Sequence, residues 1–304
     1  MSSFALPIPT AQEVRRGIGY MCASVLLFSC INALVKWLTQ DFPVTQIVFF
    51  RCVFALIPCS YLVMTHGGLD ALRTNRMGWH ATRTVIQFIS LICAFTAFSM
   101  MPLADVVAIS FSSPLFLTAL SVPFLGERVG IHRWGAVIVG FLGVLIMVQP
   151  GPGTFQIGAL FVLVNALFGA LISIAVRRLS ATESSTTITA YQIIFTALYG
   201  SLLLPFGWTA PDLTAFCMLA AVGLGSGIGQ FWWIQSLRLA PAAVVAPFQY
   251  TAMIWSMALG YLIWSDLPGP ALLGGAGIVV LSGLYILYRE TVRRAPTTPV
   301  EGQD

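Results

Sequence analysis

The chain has 304 residues, of which 58% are hydrophobic and only 9% charged, and its mean hydropathy is +0.88. A soluble domain carries about 25% charged residues, so a chain this apolar has lipid as its solvent and a water-soluble globular enzyme is excluded. The net charge of +4 comes from basic residues spread over many connections, which is not a nucleic-acid footprint.

The chain starts with a short polar stretch, 1–16, which holds Pro7, Pro9 and Glu13. The first apolar run, 17–39, is too long for a signal-peptide core and has no small-residue cleavage site after it, so it is expected to be a retained first helix. Further apolar spans follow at 44–64, about 79–101, 103–125, 131–148, 156–179, 186–206, 213–237, 242–263 and 269–288. The expected fold is an all-α integral membrane protein of about ten transmembrane helices. Connections are short and carry Pro, Gly, Asp or Arg, as at Asp41-Phe42-Pro43 and Pro150-Gly151-Pro152-Gly153. A charged, Pro- and Thr-rich tail, 289–304, is expected to be disordered.

Orientation follows from the basic residues. With the N-terminus inside, thirteen of the fifteen fall on inside-facing segments, among them Arg15, Arg16, Arg73, Arg83, Arg128, Arg177, Arg238 and Arg289. The outside loops hold only Asp41, Asp105, Asp212 and Asp266. The remaining two, Lys36 and Arg51, lie inside apolar runs. Both termini are expected in the cytoplasm.

The stretch Ser99–Gln149 is echoed by Ser236–Tyr288, at an offset of roughly 137–140 residues. Each copy has a proline loop (Pro102, Pro241), an apolar run broken by a second proline (Pro114, Pro247), a short acidic turn (Gly126-Glu127-Arg128, Ser265-Asp266) and a Gly-rich closing run, with Gly135 and Gly143 answering Gly275 and Gly283. The units are therefore a first repeat, 17–148, and a second, 156–288. Five helices per repeat is an odd number, so the second half enters the membrane from the opposite side. Inverted halves of this kind hold a solute near the midplane and expose it to each face in turn.

Ionisable groups within lipid are costly and usually face a cavity. Arg51 lies about two turns inside its helix; its planar fork suits a substrate carboxylate, or it snorkels outward or pairs with Asp41 or Asp105. Lys36, nearer the helix end, is expected to snorkel. Gln87 and Ser90 share a face of the third helix with Ala94, and Ser226, Gln230 and Trp233 share one of the eighth. Asn32, Ser110, Ser113, Asn165, Gln249 and Tyr250 complete the candidate substrate-binding set. Pro114 and Pro247 each lack an N–H, which frees a carbonyl, that of Ser110 or Ala243, for a substrate ammonium. Polar side chains of this kind also serve as glue between helices. The run Gly223–Gln230 has a nucleotide-loop look, but no strand precedes it, and Gly225 with Gly229 reads as close helix packing.

Ten helices in two halves, a proline-containing fourth and ninth helix, and the Phe124-Leu125-Gly126-Glu127-Arg128 turn before a Gly-rich fifth resemble the drug/metabolite transporter superfamily, and within it the EamA-type members. The resemblance covers about residues 15–290. The second half departs from it, with Trp264-Ser265-Asp266 where a Gly-Glu pair is usual. It implies export of small metabolites, often amino acids, across the bacterial inner membrane, and is similar in particular to exporters of aromatic and other neutral amino acids.

No Asp, Glu or His is expected mid-membrane, and there is no GxxxxGK[ST] loop, so neither a proton relay through such groups nor ATP hydrolysis has support. Facilitated diffusion or exchange of neutral or zwitterionic solutes is the expected mechanism, with no cofactor and no metal. The six cysteines have no metal spacing and are expected to be buried free thiols. Partners are a small-molecule substrate, amino acids favoured, and the lipid bilayer, with no nucleic acid; a monomer is expected and an oligomer left open. The alternatives are a carrier of nucleotide sugars, phosphate esters or drug-like cations, and a membrane scaffold or receptor. An intramembrane enzyme would need a nucleophile with its base, or paired carboxylates, inside the bundle.

Overall fold

A computed structural model describes residues 10–65, 68, 72–126, 129–149, 154–180 and 182–294. Among them there is no strand. The helices are α1 (Ala11–Leu38), α2 (Val44–Thr65), α3 (Met77–Met100), α4 (Leu103–Ser110), α5 (Ser113–Leu125), α6 (Ile131–Val148), α7 (Thr154–Leu179), α8 (Ser185–Leu203), α9 (Leu213–Leu239), α10 (Ala242–Gln249), α11 (Thr251–Trp264) and α12 (Pro270–Arg294). The pairs α4–α5 and α10–α11 are the expected fourth and ninth spans, each broken partway. Eight segments are long and apolar enough to cross a bilayer: α1, α2, α3, the α4–α5 pair, α6, α7, α9 and α12. α8 and α10–α11, the counterparts of α2 and α4–α5, complete the ten. Glu127-Arg128, Pro150-Gly151-Pro152-Gly153 and residues 1–9 and 295–304 lie outside the described residues, whereas 289–294, expected in a disordered tail, continue α12.

Local chemistry sets the helix starts. Thr10 and Glu13 form a reciprocal capping box on α1, Ser184 caps α8, and Asp212 caps α9. Large apolar side chains on the outer surface, such as Leu142, Leu160, Leu262 and Leu281, are exposed and face lipid. The cysteines are all free; Cys52, Cys59 and Cys93 are buried as expected, whereas Cys30 and Cys217 sit on the outer surface. A thiol behaves as a small hydrophobe and is as content in lipid as in a core.

Over the fourth and ninth spans the halves correspond at an offset of 139 residues. Pro102 and Pro241 open α4 and α10 with near-identical backbones. The breaks fall at Phe111 and Tyr250, whose N–H groups bond the carbonyls of Ala108 and Pro247, and the two rings meet at 4.8 Å. The prolines themselves are not counterparts: Pro114 lies after the first break and Pro247 before the second, where the first half has Ala108. Gly126 ends α5 at φ 66 and Ser265 ends α11 at φ 57. The second half thus keeps the left-handed turn despite lacking its glycine, at a cost of order 1 kcal/mol.

Glycines bring the backbones together. On α9, a Cβ at Gly223 or Gly227 would collide with α2, at Phe54 and Pro58, and one at Gly225 or Gly229 would press on Ile31 and Phe28 of α1. The glycine run is therefore a wedge between α1 and α2, as its spacing suggests. Across the axis, α6 and α12 touch backbone to backbone: a Cβ on Gly275 would lie 2.5 Å from the Gly143 carbonyl oxygen. Gly275→Val is expected to destabilise the purified protein by roughly 1–3 kcal/mol in thermal unfolding. Gly274→Ala, which meets open space, is expected to be neutral or stabilising by up to about 1 kcal/mol.

Candidate functional site

Between the halves lies a cavity of about 890 Å³, continuous with a deeper chamber of about 520 Å³. Phe28, Asn32, Arg51, Phe111, Gln249 and Ala252 line both. The wider part reaches Arg177, Ser180 and Arg238, in the last turn of α7 or α9 or just beyond, so it opens at the face where the chain ends. The deeper chamber is walled by Leu91, Phe95, Phe98 and Val107 and is mostly apolar.

Arg51 stands at the junction. Its Nε donates to Ser226 Oγ at 3.0 Å, and its guanidinium lies 5.9 Å from the centre of the Phe95 ring. The glycine wedge makes this possible, because Gly223 and Gly227 let α9 approach α2 closely enough for Ser226 to reach across. The two terminal nitrogens have no hydrogen-bond partner among the described residues. A cation in an apolar wall whose terminal nitrogens are unbonded has donors suited to an anion. Neither Asp41 nor Asp105 pairs with it.

The structure divides the sequence candidates. Asn32, Arg51, Gln87, Gln230, Trp233 and Gln249 line the wide cavity, and Ser110, Ser113 and Asn165 line the deeper chamber. Asn165 is also glue: its Nδ2 donates to the Ser90 carbonyl at 3.0 Å and to Ser90 Oγ at 2.9 Å. Ser90 is buried off the cavity, and the Ser110 hydroxyl turns back to the Val106 carbonyl. Tyr250 is not in the lining; its ring covers Phe111 and its hydroxyl packs where Gly283 of α12 leaves room.

Two features escaped the sequence reading. Arg83, grouped there with the loop cations, is 2% exposed, and it donates to the Ile188 carbonyl at 3.1 Å and Gln192 Oε1 at 3.3 Å. His80 is fully buried one turn earlier, its ring tilted against that of Tyr191 at 4.8 Å. His80, Arg83, Gln87 and Ser90 make one polar stripe on α3, a pattern visible in the helical spacing. It pins α3 to α8 and presents Gln192 to the cavity.

The second is Lys36, which does not snorkel. Its Nζ donates to the Met101 carbonyl at 2.7 Å, lies 3.5 Å from Asp266 Oδ2 and sits over the Trp264 ring at 5.0 Å. Trp37 packs on Trp264. This cluster seals the face opposite the cavity mouth by tying α1 to the α3–α4 turn and to the end of α11.

Two inverted five-helix halves around a cavity open at one face and shut at the other have the architecture of a secondary transporter. The chain belongs to the EamA-like transporter family, whose model matches residues 15–149 and 156–288. It is 28% identical to a riboflavin transporter of Vibrio cholerae serotype O1 over 280 residues, 91% of this chain and 94% of that one. It is 27% identical to an S-adenosylmethionine uptake transporter of Rickettsia felis over 274 residues, 90% and 93% of the two chains. It is 29% identical to the pseudopaline exporter CntI of Pseudomonas aeruginosa over 271 residues, 88% and 95%. A crystal structure with 17% identity superposes with a TM-score of 0.64, covering 92% of this chain and 99% of that one, which shows a shared fold. The protein is thus a multi-pass membrane transporter of small molecules and not an enzyme.

If Ser90 is glue, Ser90→Ala costs about 1 kcal/mol of stability in thermal unfolding and leaves solute preference unchanged in competition assays. A changed preference would move Ser90 into the binding site.

Proposed function

We propose that this transporter carries neutral and zwitterionic metabolites with a carboxylate, amino acids above all, aromatic ones included, and metabolites built on an amino-acid head. The observation that carries the reading is Arg51, held by Ser226 at the junction of a polar cavity and an apolar chamber. The carboxylate takes the two terminal nitrogens of the fork. An apolar or flat side chain enters the chamber among Phe95, Phe98 and Leu91, and the ammonium meets Asn32, Gln249 and the carbonyl that Pro114 leaves without its helix partner.

Transport runs by alternating access and needs no proton. Among the described residues no Asp, Glu or His lines either chamber, so facilitated diffusion or exchange accounts for movement and the solute gradient sets its direction. The relatives named above include both uptake carriers and an exporter; for this chain export is the reading, from a bacterial inner membrane with both termini in the cytoplasm. The arginines at the termini face support that orientation.

The test is uptake and counterflow of labelled amino acids in proteoliposomes. Transport is expected without a pH gradient, and strict dependence on one would overturn the passive mechanism. Arg51→Lys keeps the charge but loses the fork, so the affinity for carboxylate solutes is expected to fall by roughly tenfold or more. Unchanged affinity in both Arg51→Lys and Arg51→Ala would place the anion elsewhere.

A further inference from the structure

The inverted repeat assigns each residue at one face a counterpart at the other. α1 ends at Leu38 and α7 at Leu179, so Lys36 and Arg177 each stand two residues before a helix end. The partner of Lys36 is the carbonyl of Met101, which caps α3 in an extended conformation just before Pro102. Its counterpart is Ala240, which caps α9 in the same conformation (φ −140, ψ 150) just before Pro241. The flanking contacts repeat as well: Gly158 of α7 packs against Met101, and Gly17 of α1 packs against Ala240.

The packing is not symmetric, and its asymmetry falls at the ends. At the sealed face α1 packs on α3, and α4 packs on both α11 and α12. The counterpart pairs, α7 with α9, α10 with α5 and α10 with α6, have no comparable packing among the described residues. Arg177 lines the open mouth of the cavity instead. One end of a duplicated structure therefore displays contacts that the other end is built to make.

We propose that Lys36 and Arg177 are alternating latches of the transport cycle. In the state described here Lys36 holds the far face shut through Met101 and Asp266. In the opposite state Lys36 is released, α7 swings toward α9, and Arg177 caps the Ala240 carbonyl to shut the termini face. Each latch bonds its cap carbonyl in one state only, so each biases the balance by its differential contribution. The latches are not copies in every part: the position matching Asp266 lies outside the described residues, and Trp264 is answered by Leu125. The inference rests on alternating access and not on which solute moves.

The test reads cavity access without solute. A cysteine introduced as Ser110→Cys, in sealed vesicles of known sidedness, is labelled with a membrane-impermeant maleimide from either face; the chain without it gives the background of the native thiols. Labelling from the termini face is expected to dominate. Lys36→Met is expected to raise far-face labelling roughly tenfold, and the charge exchange Lys36→Asp with Asp266→Lys to bring it back toward the starting level. In the Lys36→Met background, Arg177→Met is expected to lower far-face labelling again. Unchanged far-face labelling in Lys36→Met would overturn the first latch, and no effect of Arg177→Met would overturn the exchange. Labelling that behaves as expected in a protein that moves no amino acid leaves the latches standing and refutes the solute assignment. Retained labelling from the termini face shows that each single variant is folded.

Discussion

A guanidinium in the wall of a lipid-embedded bundle has to be satisfied by protein, water or ligand, since lipid offers nothing. The bond between Arg51 and Ser226 meets that demand in part, and much of the architecture serves it. α9 comes within reach of α2 only because glycines at 223 and 227 remove the side chains that would hold the helices apart. The same helix uses Gly225 and Gly229 to seat α1 on its other side, which brings Asn32 to the same cavity. The terminal nitrogens of Arg51 keep donor capacity toward the cavity, and the Phe95 ring lies 5.9 Å from its guanidinium.

Much of this was legible in the sequence because it depends on hydropathy and on duplication. Helix number follows from the apolar runs and from the arginine distribution, and the inverted halves from an odd number of helices per repeat. Arg51 stood out as a cation where lipid forbids one. Each of the fourth and ninth spans was read as one helix carrying a proline, Pro114 or Pro247, and in both the site of the break lies elsewhere, at Phe111 and Tyr250. Pro247 breaks nothing by itself; the helix stops at Tyr250, where the first half stops at Phe111, because the fold repeats the turn more faithfully than the sequence repeats the proline.

What stayed hidden needed partners remote in the chain. Lys36 reads as a snorkelling residue when only its own helix is considered, and its carbonyl and carboxylate partners lie in other elements. Arg83 reads as a loop cation because it is close to the helix start, whereas α8 supplies the acceptors that let it sink into the interface. Ser90 and Asn165 show the opposite limit: polar residues at helical spacing look the same whether they face a solute or each other. Ser265 hid for a third reason, since a left-handed cap is usually announced by glycine.

The contact between Gly143 and Gly275 has a mechanical consequence. The two backbones meet directly there, with Met147 and Ile278 filling the gaps beside the glycines, so the crossing is a close and fixed point about which one helix can turn on the other. α6 and α12 close their respective halves, so that point belongs to both bodies at once and works as a fulcrum. A modest tilt there is magnified along each lever arm into a wide swing at the rims of the bundle, while the fulcrum itself keeps its contacts.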